Sequence, residues 1–161
     1  MATNISINRL LGKLLKRKFT GVFPIHYGLV EIKKMEAGNC LLINSGCADK
    51  FENGHFIAVL KPKKGDLLIF DSFSNEDDIK LLLHSVLHEF ETVKINKSKI
   101  QSNKSNYCGI FASAFVLTYY KKKKLSDFFK ILDYDDLTNN DRIVSIYLKK
   151  LVKNIVSKQQ G

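Results

Sequence analysis

Residues Cys108 to Tyr120 carry no charge and are apolar on every side of a helical wheel. A helix of that kind is stable only with protein packed all around it. The run is too short to span a bilayer, which takes about 20 residues. A buried central helix is therefore expected, closed by Lys121–Lys124 at the end where cations suit the helix dipole. The chain's 161 residues suffice for one domain, taken as 1–161, with a core that needs no disulfide or metal.

The rest of the chain supplies the cover. Ile7, Leu10, Leu11, Leu14 and Leu15 have the spacing of an amphipathic helix, with Ser6 as its N-cap. Thr20 to Gly38, punctuated by Gly21, Pro24 and Gly28, reads as loop with short strands. Cys40–Asn44, His55–Leu60 and Asp66–Asp71 read as strands, the last two apolar on both faces and therefore central. Asn75 caps a helix whose buried stripe includes Ile79, Leu83, Val86 and Phe90, and a strand near Thr92–Asn96 follows. Leu125–Leu132 is a short helix, and a last helix starts at Thr138–Asp141 with Val144, Leu148, Leu151 and Ile155 inward. The fold class is α+β, with a central, mainly antiparallel sheet packed between helices.

The hairpin carries chemistry. With its turn centred on Lys63, residues whose numbers sum to 126 face each other, and His55 and Asp71 do. Their Cβ atoms would then lie about 5 Å apart on one face. A carboxylate there orients an imidazole and stabilises its protonated form. Cys108 begins the buried helix, where the helix dipole lowers a thiol's pKa. Gly109 lets a substrate backbone come close. Gln101, on the polar loop leading to Cys108, has an amide that stays a donor at every pH. Together they suggest a nucleophile, a base, its orienter and an oxyanion donor.

The same segments resemble the adenovirus maturation proteases and, more distantly, the SUMO-specific proteases. Asn53-Gly54-His55-Phe56 is similar to that family's His-strand start. Phe70-Asp71-Ser72-Phe73 is similar to its acidic segment, and Gln101 to Cys108-Gly109-Ile110-Phe111 to its Gln-x6-Cys-Gly-Leu-Phe. The resemblance covers roughly residues 5–120. It implies a permuted papain-like fold and a thiol endopeptidase with Cys108, His55, Asp71 and Gln101 as catalytic residues. Oxyanion and substrate contacts would come from Gln101, Cys108, Gly109 and Phe56. It further implies a virophage or Maverick-type viral member, acting in the virion and at the assembly site in host cytoplasm or nucleus. Its substrates would be capsid and core precursors cut at Gly-containing sites. Phe56 replaces the family's usual Trp, and no cysteine lies between Phe90 and Ile100 to bond a peptide activator.

Lys and Arg outnumber Asp and Glu by 26 to 16, a net charge of +10. Such an excess suits a polyanionic partner. DNA as an activator, touched by Lys121, Lys122, Lys123 and Lys124, is the corresponding expectation. No metal or small-molecule cofactor, no membrane association and a monomer are expected. Three cysteines and no signal peptide point to a reducing compartment. His84 and His88 have the i, i+4 zinc spacing but face away from the apolar stripe with no third ligand. Two other readings stay open: a protease that removes ubiquitin-like tags, and a non-catalytic basic DNA-binding virion protein.

Overall fold

A computed structural model describes residues 3–45, 54–121 and 124–160. At its centre lies a five-stranded sheet whose strands follow chain order. They are β1 (Phe19–Pro24), β2 (Cys40–Asn44), β3 (Phe56–Leu60), β4 (Asp66–Phe70) and β5 (Thr92–Ile95). β2, β3 and β4 pair antiparallel, whereas β1 joins β2 and β5 joins β4 in parallel. The expected antiparallel pairing thus holds for the centre and not for the edges. Connectivity explains the difference, because a parallel neighbour has to be reached by a crossover. α2 (Ile25–Lys34) makes one crossover, and α3 (Glu76–Leu82) with α4 (His84–Leu87) makes the other.

The alternation of side chains along each strand divides the core in two. Leu42, Phe56, Ala58 and Phe70 face one side. There they meet α1 (Asn4–Leu15), α5 (Cys108–Tyr120), α6 (Leu125–Lys130) and α7 (Asn140–Gln160). Leu41, Ile43, Ile57, Val59 and Ile69 face the other, against α2, α3 and α4. α5 has the bounds that its sequence predicts, and Phe115 stacks on Phe70 with ring centroids 4.4 Å apart. Val144, Leu148, Leu151 and Ile155 of α7 are buried beside it.

Three local readings are corrected. Thr3, not Ser6, caps α1; Ser6 sits three residues in and returns the bond, its hydroxyl accepting the Thr3 N–H. The segment read as loop contains α2. Its Gly28, which suggested a break, is where the helix presses on the sheet: a Cβ there would lie 2.9 Å from Ile43 Cγ1. The helix starting at Glu76 is interrupted at Leu83 and resumes as α4. Asn75 does cap it, accepting the Asp78 N–H, and Ile79, Leu83 and Val86 are buried.

His84 and His88 are exposed. Cys40 is a core thiol: burial, against a hydrogen bond from Tyr120, pushes it up to about 12. Cys47 and Asn53 lie outside the described residues. Among those described, no helix is long and apolar enough to cross a membrane.

Candidate active site

The hairpin turns one position later than its composition suggests. Gly65 takes φ +86°, Asp66 N–H closes the turn on Lys63 O, and the ladder pairs Ala58 with Phe70. Numbers of paired residues therefore sum to 128, not 126. Continued past the ladder, this register sets His55 opposite Phe73 and Asp71 opposite Ile57. The shift keeps parity, so His55 and Asp71 stay on one face as diagonal neighbours. Diagonal contact suffices: His55 Nε2 lies 2.5 Å from Asp71 Oδ1. The His55 ring also packs on Phe73, with centroids 4.7 Å apart.

Each member is held by backbone. His55 N–H donates to Ser45 Oγ, and Ser45 N–H donates to His55 O, tying the base to the end of β2. Asp71 is 3% exposed, and its carboxylate accepts the N–H groups of Phe73 and Asn75 and meets His55. Burial alone would raise its pKa; the bonds from His55, Phe73 and Asn75 reverse that and lower it.

Cys108 reaches the same place from the opposite face of the sheet, as the first residue of α5. It meets His55 at the sheet's end. With Nε2 on Asp71, Nδ1 is the ring nitrogen left for the thiol. Nδ1 is buried and does not meet hydrogen-bond geometry with any described residue. The two groups are nonetheless close enough to shift each other. Burial opposes charge on both. Against burial, Asp71 and Cys108 raise His55 to about 9. Against burial, His55 and the backbone of Phe56 and Gly109 lower Cys108. The opposed shifts favour a thiolate beside an imidazolium, and a loose contact of this kind is common before substrate binds.

Gln101 is fully buried. Its Oε1 accepts the Ser72 hydroxyl, while Nε2 donates to Ser105 O and Ser105 Oγ, each at 3.1 Å. The bond to a carbonyl fixes which end of the amide is nitrogen. The amide nitrogen is therefore engaged within the loop. Ser105 Oγ also accepts the Tyr107 N–H and donates to Asp141 Oδ1 at 2.7 Å, linking the loop to α7. Gly109 is buried in the first turn of α5. The Phe56 ring, expected along a substrate groove, is instead packed in the core with 4% exposure; Phe56 meets the site through its backbone.

A cleft of about 610 Å³ opens on the His55–Asp71 side. Ile57, Ile79 and Leu82 line it with Phe73, and Asp78 and Lys99 add charge. Of the lysines expected to touch DNA, Lys121 is half-buried and Lys124 exposed; Lys122 and Lys123 lie outside the described residues. Lys121 lines a hollow with Lys16, Lys18 and Lys158, at the end of α5 remote from Cys108. Sequence reasoning did not single out Ser45, Asn96 or Ser105. All three are small polar residues in connections, and only the tertiary fold brings them to the site.

No protein-family model matches the chain. No curated protein matches it either. Among solved structures, it is similar to the central domain of the uncharacterized Lpg1148 protein from Legionella pneumophila. The two are 18% identical, with 98% of each chain covered and a TM-score of 0.50. That likeness concerns the fold alone. ChlaDub1 from Chlamydia trachomatis is 16% identical over 71% of this chain and 62% of its own, with a TM-score of 0.44, an overlap too loose to bear on function.

Proposed function

We propose that this chain is a thiol endopeptidase of permuted papain-like type. One observation carries the reading: a thiol lowered in pKa at the start of a buried helix, beside a histidine whose far nitrogen is held by a buried carboxylate. In the proposed reaction the Cys108 thiolate attacks the scissile carbonyl carbon, and the carbonyl π electrons move to oxygen. The Cys108 N–H, free at the helix start, donates to that oxyanion. The Gln101 amide joins it after leaving Ser105. Collapse of the intermediate breaks the C–N bond, and His55 gives its Nδ1 proton to the leaving amine. Neutral His55 then takes a proton from water, whose oxygen attacks the thioester. The acid product leaves and the thiolate is restored. Asp71 holds the ring throughout.

Substrate identity follows from the sequence resemblance: capsid and core precursors with glycine before the cut, processed in the virion or at its assembly site. DNA would serve as a polyanionic track, with the lysines around Lys121 as contacts. Removal of ubiquitin-like tags keeps the same chemistry with a different substrate.

The test uses peptides ending in Gly-Gly-aminocoumarin, a ubiquitin-like fusion and a viral core precursor, each with and without DNA. The wild type releases the Gly-Gly leaving group and cuts the precursor, whereas Cys108→Ala does neither. Preference for the fusion over the precursor would reassign the substrate. No cleavage of any of them, with Cys108 reacting as an ordinary thiol, would leave a non-catalytic basic protein. DNA stimulation should fade as salt rises while peptide cleavage changes little.

A further inference from the structure

We infer that Asn96 is a positioning residue for the site, its carboxamide holding the peptide groups of Asp71 where the sheet has run out of strand. The inference rests on the thiol-imidazole site proposed above. β5 ends at Ile95 and β4 at Phe70, so Asp71 lies one residue past the end of its strand and two past the last pair with β5, Ile69 with Ile95. Its backbone would there lose its ladder partner. The Asn96 side chain takes over that role. Its Oδ1 accepts the Asp71 N–H at 2.8 Å, and its Nδ2 donates to Asp71 O at 2.7 Å and to Ser98 O at 3.3 Å. The carboxamide thus imitates a peptide unit, with one acceptor and one donor read by the same residue.

Asn96 is itself anchored at both ends. Its N–H donates to Ile69 O, and its carbonyl accepts the Ser74 hydroxyl at 2.8 Å. Ser74 N–H closes back on Asp71 O. The turn from Asp71 to Asn75, which aims Phe73 and Asn75 N–H at the carboxylate, is therefore held at its start by the Asn96 side chain, while Ser72 within it is held by the Ile100 and Gln101 N–H groups. Asn suits the place for a physical reason. Its amide reaches two backbone groups of one residue without bringing charge near a carboxylate that has to stay ionised. An Asp at position 96 would accept the N–H but repel Asp71 O and its carboxylate. An Ala would leave the Asp71 N–H without a partner.

Asn96 touches neither thiol nor imidazole, so its effect has to be read at His55. The charged and titratable groups around that ring are Asp71 beyond β4, Cys108 on α5, Asp78 on α3 and Lys99 from the β5–α5 connection. Asn96→Ala alters none of their charges. It only loosens Asp71, and a carboxylate that is less well placed stabilises the imidazolium less.

The chain has four histidines, so NMR titration of ring-labelled protein resolves them, with a His55→Ala spectrum giving the assignment. In the wild type His55 should titrate near 9. In Asn96→Ala its midpoint should fall by about one unit. Asn96→Gln keeps the amide but sets it one methylene too far to hold both groups. It should give a smaller fall in the same direction, and it carries the test if the Ala variant does not fold. A folded variant with His55 unmoved overturns the role of Asn96 and leaves the peptidase reading intact. An ordinary His55 midpoint in the wild type would overturn both, since no ion pair would then exist to be positioned.

Discussion

The two halves of the candidate site are built on opposite principles. On the α3 side, His55 and Asp71 are aimed outward: every bond to the carboxylate keeps it ionised and directed at the ring, and the ring's second nitrogen is left for the thiol. On the α7 side, Gln101 is turned inward, with its amide nitrogen on Ser105 and its oxygen on Ser72. The first half is assembled before any substrate arrives. The second has to give up bonds of ordinary strength, each worth about 1 kcal/mol net, to reach an oxyanion. In the proposed reaction the nucleophile is thus prepared in advance, and stabilisation of the tetrahedral intermediate depends on an exchange of partners.

The largest expected effect falls on the prepared half. Asp71→Asn keeps the shape but removes the charge that supports the imidazolium. Cleavage should drop by about 10²–10⁴-fold, and the alkaline limb of the pH–rate profile, near 9 in the wild type, should move down. Stability follows the same groups. The His55 contribution, from a raised pKa, is fully present below the ordinary imidazole value of about 6.5 and is lost as pH rises through about 9. The Asp71 contribution, from a lowered pKa, is present above the ordinary carboxylate value of about 3.9 and is lost as pH falls through its lower folded value. Denaturant melts across pH would show both limbs. A drop in rate below tenfold, with the alkaline limb unmoved, would erase the contrast between the halves.

That contrast also marks how far the sequence could be read. The bounds of α5 were legible because an uncharged apolar run leaves a helix no face for solvent. The pairing of His55 with Asp71 was legible by parity. An error of one position in the turn preserves the face on which each side chain lies, and diagonal neighbours still touch. The strand at the β5 edge was legible near Thr92–Asn96, but the crossover to the β1 edge was not, because Gly28 looks like a breaker in α2 although it is a point of close packing. The spacing of Ile25, Leu29 and Ile32 was the helical signal there. Nor was the engagement of Gln101 legible. It depends on Ser105 and on α7, thirty-six residues farther on, and no local pattern encodes that contact.

Gln101→Ala tests the inward half directly. If the amide leaves Ser105 for the oxyanion, kcat should fall by about 10²-fold with KM little changed, since the bond forms only as the intermediate does. If the amide serves only as a strut between Ser72 and Ser105, the melting temperature should fall and kcat should hold. The second outcome would leave the Cys108 N–H as the oxyanion donor and make the two halves more unequal still.

The smallest expected effect is at Asp141. Its carboxylate accepts the Ser105 hydroxyl from the first turn of α7, at a half-buried position that water can enter. Asp141→Ala removes that acceptor, and water should largely replace it. The cost should be about 0.5–1.5 kcal/mol of stability, the net worth of one ordinary hydrogen bond. Asp141→Asn, which keeps an acceptor oxygen, should cost less. Neither should change kcat more than about threefold, because each lies two hydrogen bonds from any reacting group and the Ser105 carbonyl still holds Gln101. A 10²-fold loss in Asp141→Ala, with a normal melting temperature, would contradict this. It would mean that α7 sets the Gln101 amide in register for the oxyanion, and that the inward half is as preorganised as the outward one. Comparing Asp141→Ala with Gln101→Ala in one background then decides the point, since two changes acting through the same amide should not add.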